Sequence, residues 1–95
     1  MRDYEVTVVL NAELDEEARN ELIERVSGWL KGDGEAELQV NHWGHRHLAY
    51  PIKRHKDGYY VYFEAPIEQN RIADIERNMR YADEILRTLF VRKET

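Results

Sequence analysis

Tyr4, Val6, Val8 and Leu10 alternate with Glu5, Thr7 and Val9. A side-chain period of two is that of a β-strand with one buried face. Val9 breaks the polar side, so that side is expected to be partly covered too. The period then changes. Ala18, Leu22, Val26 and Leu30 recur every four residues, widened by Ile23 and Trp29 into a helix stripe. Asp15 is placed as its N-cap, with Glu16 and Glu17 in the first turn where they suit the helix dipole. Gly32 and Gly34 are expected to stop it.

Alternation returns with Ala36, Leu38 and Val40 facing one way and Glu37, Gln39 and Asn41 the other. Gly44 interrupts this strand as a bulge would, and it resumes through Leu48, Tyr50 and Ile52. Asp57-Gly58 reads as a hairpin turn. "GYYVYFEA" follows as a third strand, closed by Pro66. Ile72, Ile75 and Met79 mark a second helix, and "ILRTLFVR", Ile85 to Arg92, a fourth strand.

The order is βαββαβ. Two right-handed βαβ halves interleave as a four-stranded antiparallel sheet with both helices on one face, an α+β, ferredoxin-like fold. Residues 1–95 make one such domain. The second strand falls at a sheet edge, which suits Pro51. The uncovered face carries Tyr60 and Tyr62, or Tyr59 and Phe63, according to register. Apolar residues on both sides of the third strand imply that something covers that face.

Charge adds a puzzle. The chain carries −5 overall, yet from His42 to Gly58 four cations (Arg46, Lys53, Arg54, Lys56) meet one acid, Asp57; that is a net +3, leaving −8 elsewhere. All four histidines, His42, His45, His47 and His55, lie in this stretch. His45 and His47, two apart on a strand, share a face and could chelate a metal with Asp57. No known ligand spacing is matched, however, and solvated positions on an edge strand are the favoured reading, with no metal or cofactor expected.

Enzyme chemistry finds no support. There is no cysteine, and Ser27, the only serine, lies in a helix without a partner base at a recognisable spacing. No glycine-rich phosphate loop occurs. No apolar run approaches the roughly 20 residues of a membrane span. Met1 leads straight into Arg2-Asp3-Tyr4-Glu5, so no targeting segment is expected; absence of cysteine fits a cytoplasmic setting.

Nucleic-acid binding fares better. Arg46, Lys53, Arg54 and Lys56 alternate with His47, Tyr50 and Tyr59 along one hairpin. Cations fix phosphates, and aromatics stack on bases. Arg2, Arg80, Arg87, Arg92 and Lys93 add positive charge. "KDGYYVYF" has some likeness to the third-strand motif of an RRM-type RNA-binding domain, but "EVTVVLN" lacks the companion aromatic. A small ferredoxin-like ligand- or metal-binding regulatory module is the alternative from another class.

A family resemblance covers nearly the whole chain. It rests on Met1-Arg2, Tyr4-Glu5, on Gly44, Arg46 and Leu48-Ala49-Tyr50-Pro51-Ile52 ("R-x-LAYPI"), on Lys53, Gly58 and Tyr60 (or Tyr59), and on Asp83, Ile85, Leu86 and Arg87. The chain resembles the bacterial small-subunit ribosomal protein six family. That resemblance implies a non-catalytic, cofactor-free ribosomal component. It also implies binding to the central domain of small-subunit ribosomal RNA as a pair with ribosomal protein eighteen. It favours Arg2, Arg46, Tyr50, Lys53 and Arg87 as RNA or partner contacts, with His47 where many members have a second cation. A basic partner would also explain how an acidic body joins an RNA particle.

Overall fold

The computed structural model describes residues 2–32 and 37–93. The elements run β1 (Arg2–Asn11), α1 (Glu16–Lys31), β2 (Gln39–Ile52), β3 (His55–Ile67), α2 (Ile72–Tyr81) and β4 (Ile85–Arg92), with a 3₁₀ turn at Gln69–Arg71 leading into α2. The sheet order is β2-β3-β1-β4, all pairs antiparallel, so β2 and β4 are the two edges. This is the expected ferredoxin-like fold.

The alternation in β1 decides which face is inside. Val6 pairs with Phe63 and Val8 with Val61, and all four are buried under the helices. From α1, Leu22, Ile23, Val26 and Leu30 fill the same core, and from α2, Ile75 and Met79. Each such side chain contributes about 1.5–3 kcal/mol by leaving water. Asp15 caps α1 as expected, accepting from the Ala18 amide at 2.8 Å.

The far end of α1 is closed in a way the pattern does not announce. Gly32 takes φ +60°, and Arg71 donates through Nη2 to the Trp29 carbonyl at 2.6 Å. A guanidinium there satisfies a carbonyl left without a helical partner and meets the negative end of the dipole. A Cβ on Gly32 would lie 2.5 Å from that guanidinium. Gly34 and Ala36 lie outside the described residues.

Two boundaries differ from expectation. The β2–β3 turn is made by Lys53 and Arg54, with φ of 48° and 71°, between the paired residues Ile52 and His55. Asp57-Gly58 sits inside β3 instead. Gly58 pairs with Asn11 on one side and Arg46 on the other. It is glycine for space, since a Cβ there would meet Val9 Cγ1 at 2.4 Å. Val9 is thereby buried on the face opposite the helices, as its sequence position suggested.

Nor does Pro66 close β3, which continues to Ile67, with Pro66 opposite Asp3. The Asp3 carbonyl turns to β4, accepting from the Lys93 amide at 2.8 Å. Pro66 therefore points the other way, beyond the start of β2 at Gln39, where its missing N–H breaks no ladder bond.

Candidate functional site

The register settles the open face. Odd residues of β3 enter the core, so Tyr60, Tyr62 and Glu64 look outward with Glu5 and Thr7 of β1 and Leu89 and Val91 of β4. The register slips at Gly44 (φ 88°): His42 opposes Val61, and Gly44 opposes Tyr60. The extra residue, Trp43, lies flat on Tyr62, ring centres 5.3 Å apart and planes 8° from parallel. It also restores phase, so His42, His45 and His47 all oppose core-side positions of β3.

The segment Leu48-Ala49-Tyr50-Pro51 stands opposite Lys56 alone, between the pairs His47–Asp57 and Ile52–His55. Excess chain on one strand bends it, and Pro51, which has no ladder donor, falls in this irregular stretch. The bent arm reaches the opposite edge of the sheet. Arg87 of β4 donates through Nη1 to the Tyr50 phenol oxygen at 3.0 Å, and Lys53 Nζ is 3.4 Å from the Ile85 carbonyl. Leu48 covers Gly58 beside Val9.

Nine of the ten expected contact residues consequently form two groups, and His47 stands apart. Arg46, Tyr50, Lys53, Arg54, Arg80 and Arg87 gather at the end of the sheet where β1 finishes and β4 begins; Lys53, Arg80 and Arg87 line one groove there. Arg2, Arg92 and Lys93 lie at the other end, about 30 Å away along β1 at about 3.4 Å per residue. Lys93 is engaged by Glu64, and that hydrogen bond, then the Glu64 charge, raises its ammonium above the ordinary lysine value. His47 lies off the open face, against Asp57.

Exposed apolar residues were the less legible part. Trp43, Leu89 and Val91 remain 47%, 50% and 46% exposed. The available signal was β4 itself, apolar at both parities in "ILRTLFVR". Around them the charge is acidic: Glu5 and Glu64 flank Tyr62. Burial first, then those two carboxylates, raises the Tyr62 phenol above its ordinary value. One end of the molecule is a basic arm, and the open face beside it is apolar and acidic.

The Ser27 hydroxyl donates to the Ile23 carbonyl at 2.8 Å inside α1. No helix among the described residues is long and apolar enough to cross a membrane. The fold is a ferredoxin-like α+β domain whose sheet leaves one face uncovered by the helices. The family described as Ribosomal protein S6 matches residues 3–92, and the chain belongs to it.

Relatives agree over nearly the full length. The chain is 37% identical over 92 residues to the small ribosomal subunit protein bS6 of Alkaliphilus metalliredigens, covering 97% of each. It is 39% identical to that of Rippkaea orientalis, covering 97% of this chain and 74% of the other. The crystal structure of 30S ribosomal protein S6 from Thermotoga maritima superposes with a TM-score of 0.84 at 30% identity, covering 97% of this chain and 87% of that one. The protein is thus a structural, non-enzymatic component of the small ribosomal subunit.

Proposed function

We propose that the protein binds small-subunit ribosomal RNA, in its central domain, as a pair with ribosomal protein eighteen, within the cytoplasm. The observation that carries this reading is the division of its surface. Arg46, Lys53, Arg54, Arg80 and Arg87 cluster on and beside the bent arm, and a cluster of cations suits phosphates. The open face, with Trp43, Leu89 and Val91 beside Glu5 and Glu64, suits an apolar and basic protein surface. Tyr50, held by Arg87, stands at the border of the two. Arg2, Arg92 and Lys93 serve as a second, separate group of contacts, and His47 is peripheral to both.

The test is binding to a central-domain RNA junction, with and without ribosomal protein eighteen, across a salt series. Weak binding alone, tight binding by the pair and a steep loss with salt are expected. Equal binding of random RNA by the isolated chain would overturn the paired reading. Co-sedimentation with small subunits at moderate salt checks the assembly itself.

A further inference from the structure

A groove of about 430 Å³ opens between α2 and the free edge of β4. Sites for small ligands run from about 300 to 1,000 Å³, so it has room for one. Its floor is apolar: Met79 is buried there, and Phe90 is half-buried against the core. Three cations line it, Lys53, Arg80 and Arg87, against one acid, Glu76. Among the described residues none of these cations is paired with a carboxylate. Lys53 and Arg87 rest on neutral oxygens instead, the Ile85 carbonyl and the Tyr50 phenol. An ammonium has three donors and a guanidinium five, so both keep donors to spare.

The strand edge adds polar groups of its own. The Lys93 amide bonds to the Asp3 carbonyl, so the odd residues of β4 pair with β1. Alternation in an antiparallel pair then turns the N–H and C=O of Thr88 and Phe90 outward. Among the described residues no strand lies beyond β4 to take them. The side chains of the same two residues lie on the helix side, opposite Val8 and Val6. An apolar floor, unpaired main-chain groups and free cations thus meet along one short stretch.

We propose that this groove takes one unpaired nucleotide of the ribosomal RNA, its base on Met79 and Phe90 and its phosphate on Lys53, Arg80 and Arg87. The inference rests on the RNA-binding reading above and adds to it a pocket that reads a base. Cations on phosphates position a protein without regard to sequence, whereas contacts to base edges specify. A base splayed out of its helix needs a surface to lie on and hydrogen-bonding groups for its edge. The Thr88 hydroxyl and the outward main-chain groups of Thr88 and Phe90 supply the second need. An extended protein segment is the competing occupant, added to the same edge as a fifth strand. Three cations against one acid favour the polyanion.

The experiment is binding of the central-domain junction RNA by the pair with ribosomal protein eighteen, with 2-aminopurine placed at each unpaired position in turn. At one position the fluorescence should change on binding. Thr88→Phe fills the groove and removes no charge. It should abolish that change and weaken binding by roughly 5–150-fold, the worth of one stacked base, at an unchanged salt slope. Arg80→Gln should keep the fluorescence change and lower the salt slope by about one. Melting curves establish that each variant is folded, and Thr88→Leu, a smaller filler, replaces Thr88→Phe if the latter is not. Tight binding by the wild-type pair that the filled groove leaves unchanged would overturn the pocket and leave the RNA reading standing. Failure of the wild-type pair to bind would overturn both. Loss of ribosomal protein eighteen by the filled variant would give the edge to a protein strand, and would overturn the nucleotide site as well.

Discussion

Arg87 and Tyr50 stand on strands at opposite edges of the sheet, yet the Arg87 guanidinium donates to the Tyr50 phenol at 3.0 Å. The contact spans the sheet because the arm carries surplus residues between His47 and Ile52 and bends over its end. Arg87→Ala should free the arm with little change in global stability. Tyr50 is 59% exposed, and a hydrogen bond at such a site contributes at the low end of about 0.5–1.5 kcal/mol. Hydrogen exchange at residues 52–55 should accelerate while Tm barely moves. Unchanged exchange would mean that the arm is held elsewhere.

The position of the β2–β3 turn gives a pair of opposite expectations. Arg54 pays the left-handed backbone cost of a residue with a Cβ, about 1–2 kcal/mol, at φ 71°. Arg54→Gly should raise stability by up to about 1 kcal/mol, because glycine's greater unfolded freedom takes back part of the gain. Gly58→Ala should lower it by about 1–3 kcal/mol, through the clash with Val9. Denaturant midpoints read both. A turn at Asp57-Gly58 would reverse the order.

That turn also shows where the sequence was readable. Strand and helix periods were legible because burial enforces them: Val6, Val8 and Leu10 are inside, and so are Leu22, Val26 and Leu30. "DG" misled because glycine answers two needs, left-handed backbone and lack of bulk. Only the second operates at Gly58, and the need is created by Val9, 49 positions earlier and distant in sequence. The cations could be named but not grouped, since grouping depends on the bend of the arm. Arg71 carried no local signal, because its partner is the end of a helix some forty residues before it.

Leu22 tests the helix face directly. It is 3% exposed within the core cluster. Leu22→Ala should cost about 2–5 kcal/mol, lost transfer energy plus the cavity left behind. A wild-type melting curve would mean that α1 turns another face inward.

Alkaline pH offers another handle. The Tyr62 phenol, raised by burial and by Glu5 and Glu64, and the Lys93 ammonium, raised by its bond to Glu64, both hold protons more tightly folded than unfolded. Their contribution is therefore complete below ordinary tyrosine and lysine values, about 10 and 10.4, and is lost as pH climbs past them. Tm should fall through that window, and less steeply in Tyr62→Phe. In the ultraviolet titration of the wild type, one tyrosine should ionise late, and that fraction should vanish in the variant. A late fraction that persists would assign the shift to another ring.

The exposed patch on the open face separates docking from folding. Trp43 over β3 and Leu89 on β4 are about half exposed, and they sit toward opposite sides of that face. Leu89→Ser removes apolar surface that water already touches, so stability should stay within about 0.5 kcal/mol. Trp43→Ala loses the stack on Tyr62, worth about 0.5–1.5 kcal/mol, and should cost little more than that. Against a basic protein partner the outcome should differ. Residues whose truncation costs more than about 1 kcal/mol are a minority of an interface, tryptophan is among the most frequent of them, and an apolar side chain buried against the partner loses its burial as well. Both variants should therefore weaken binding to ribosomal protein eighteen by at least about fivefold. Both should leave the salt slope of RNA binding by the pair unchanged, since neither residue carries a charge. Full affinity for the partner in both variants would move the protein interface off the open face, and a reduced salt slope would place RNA there instead.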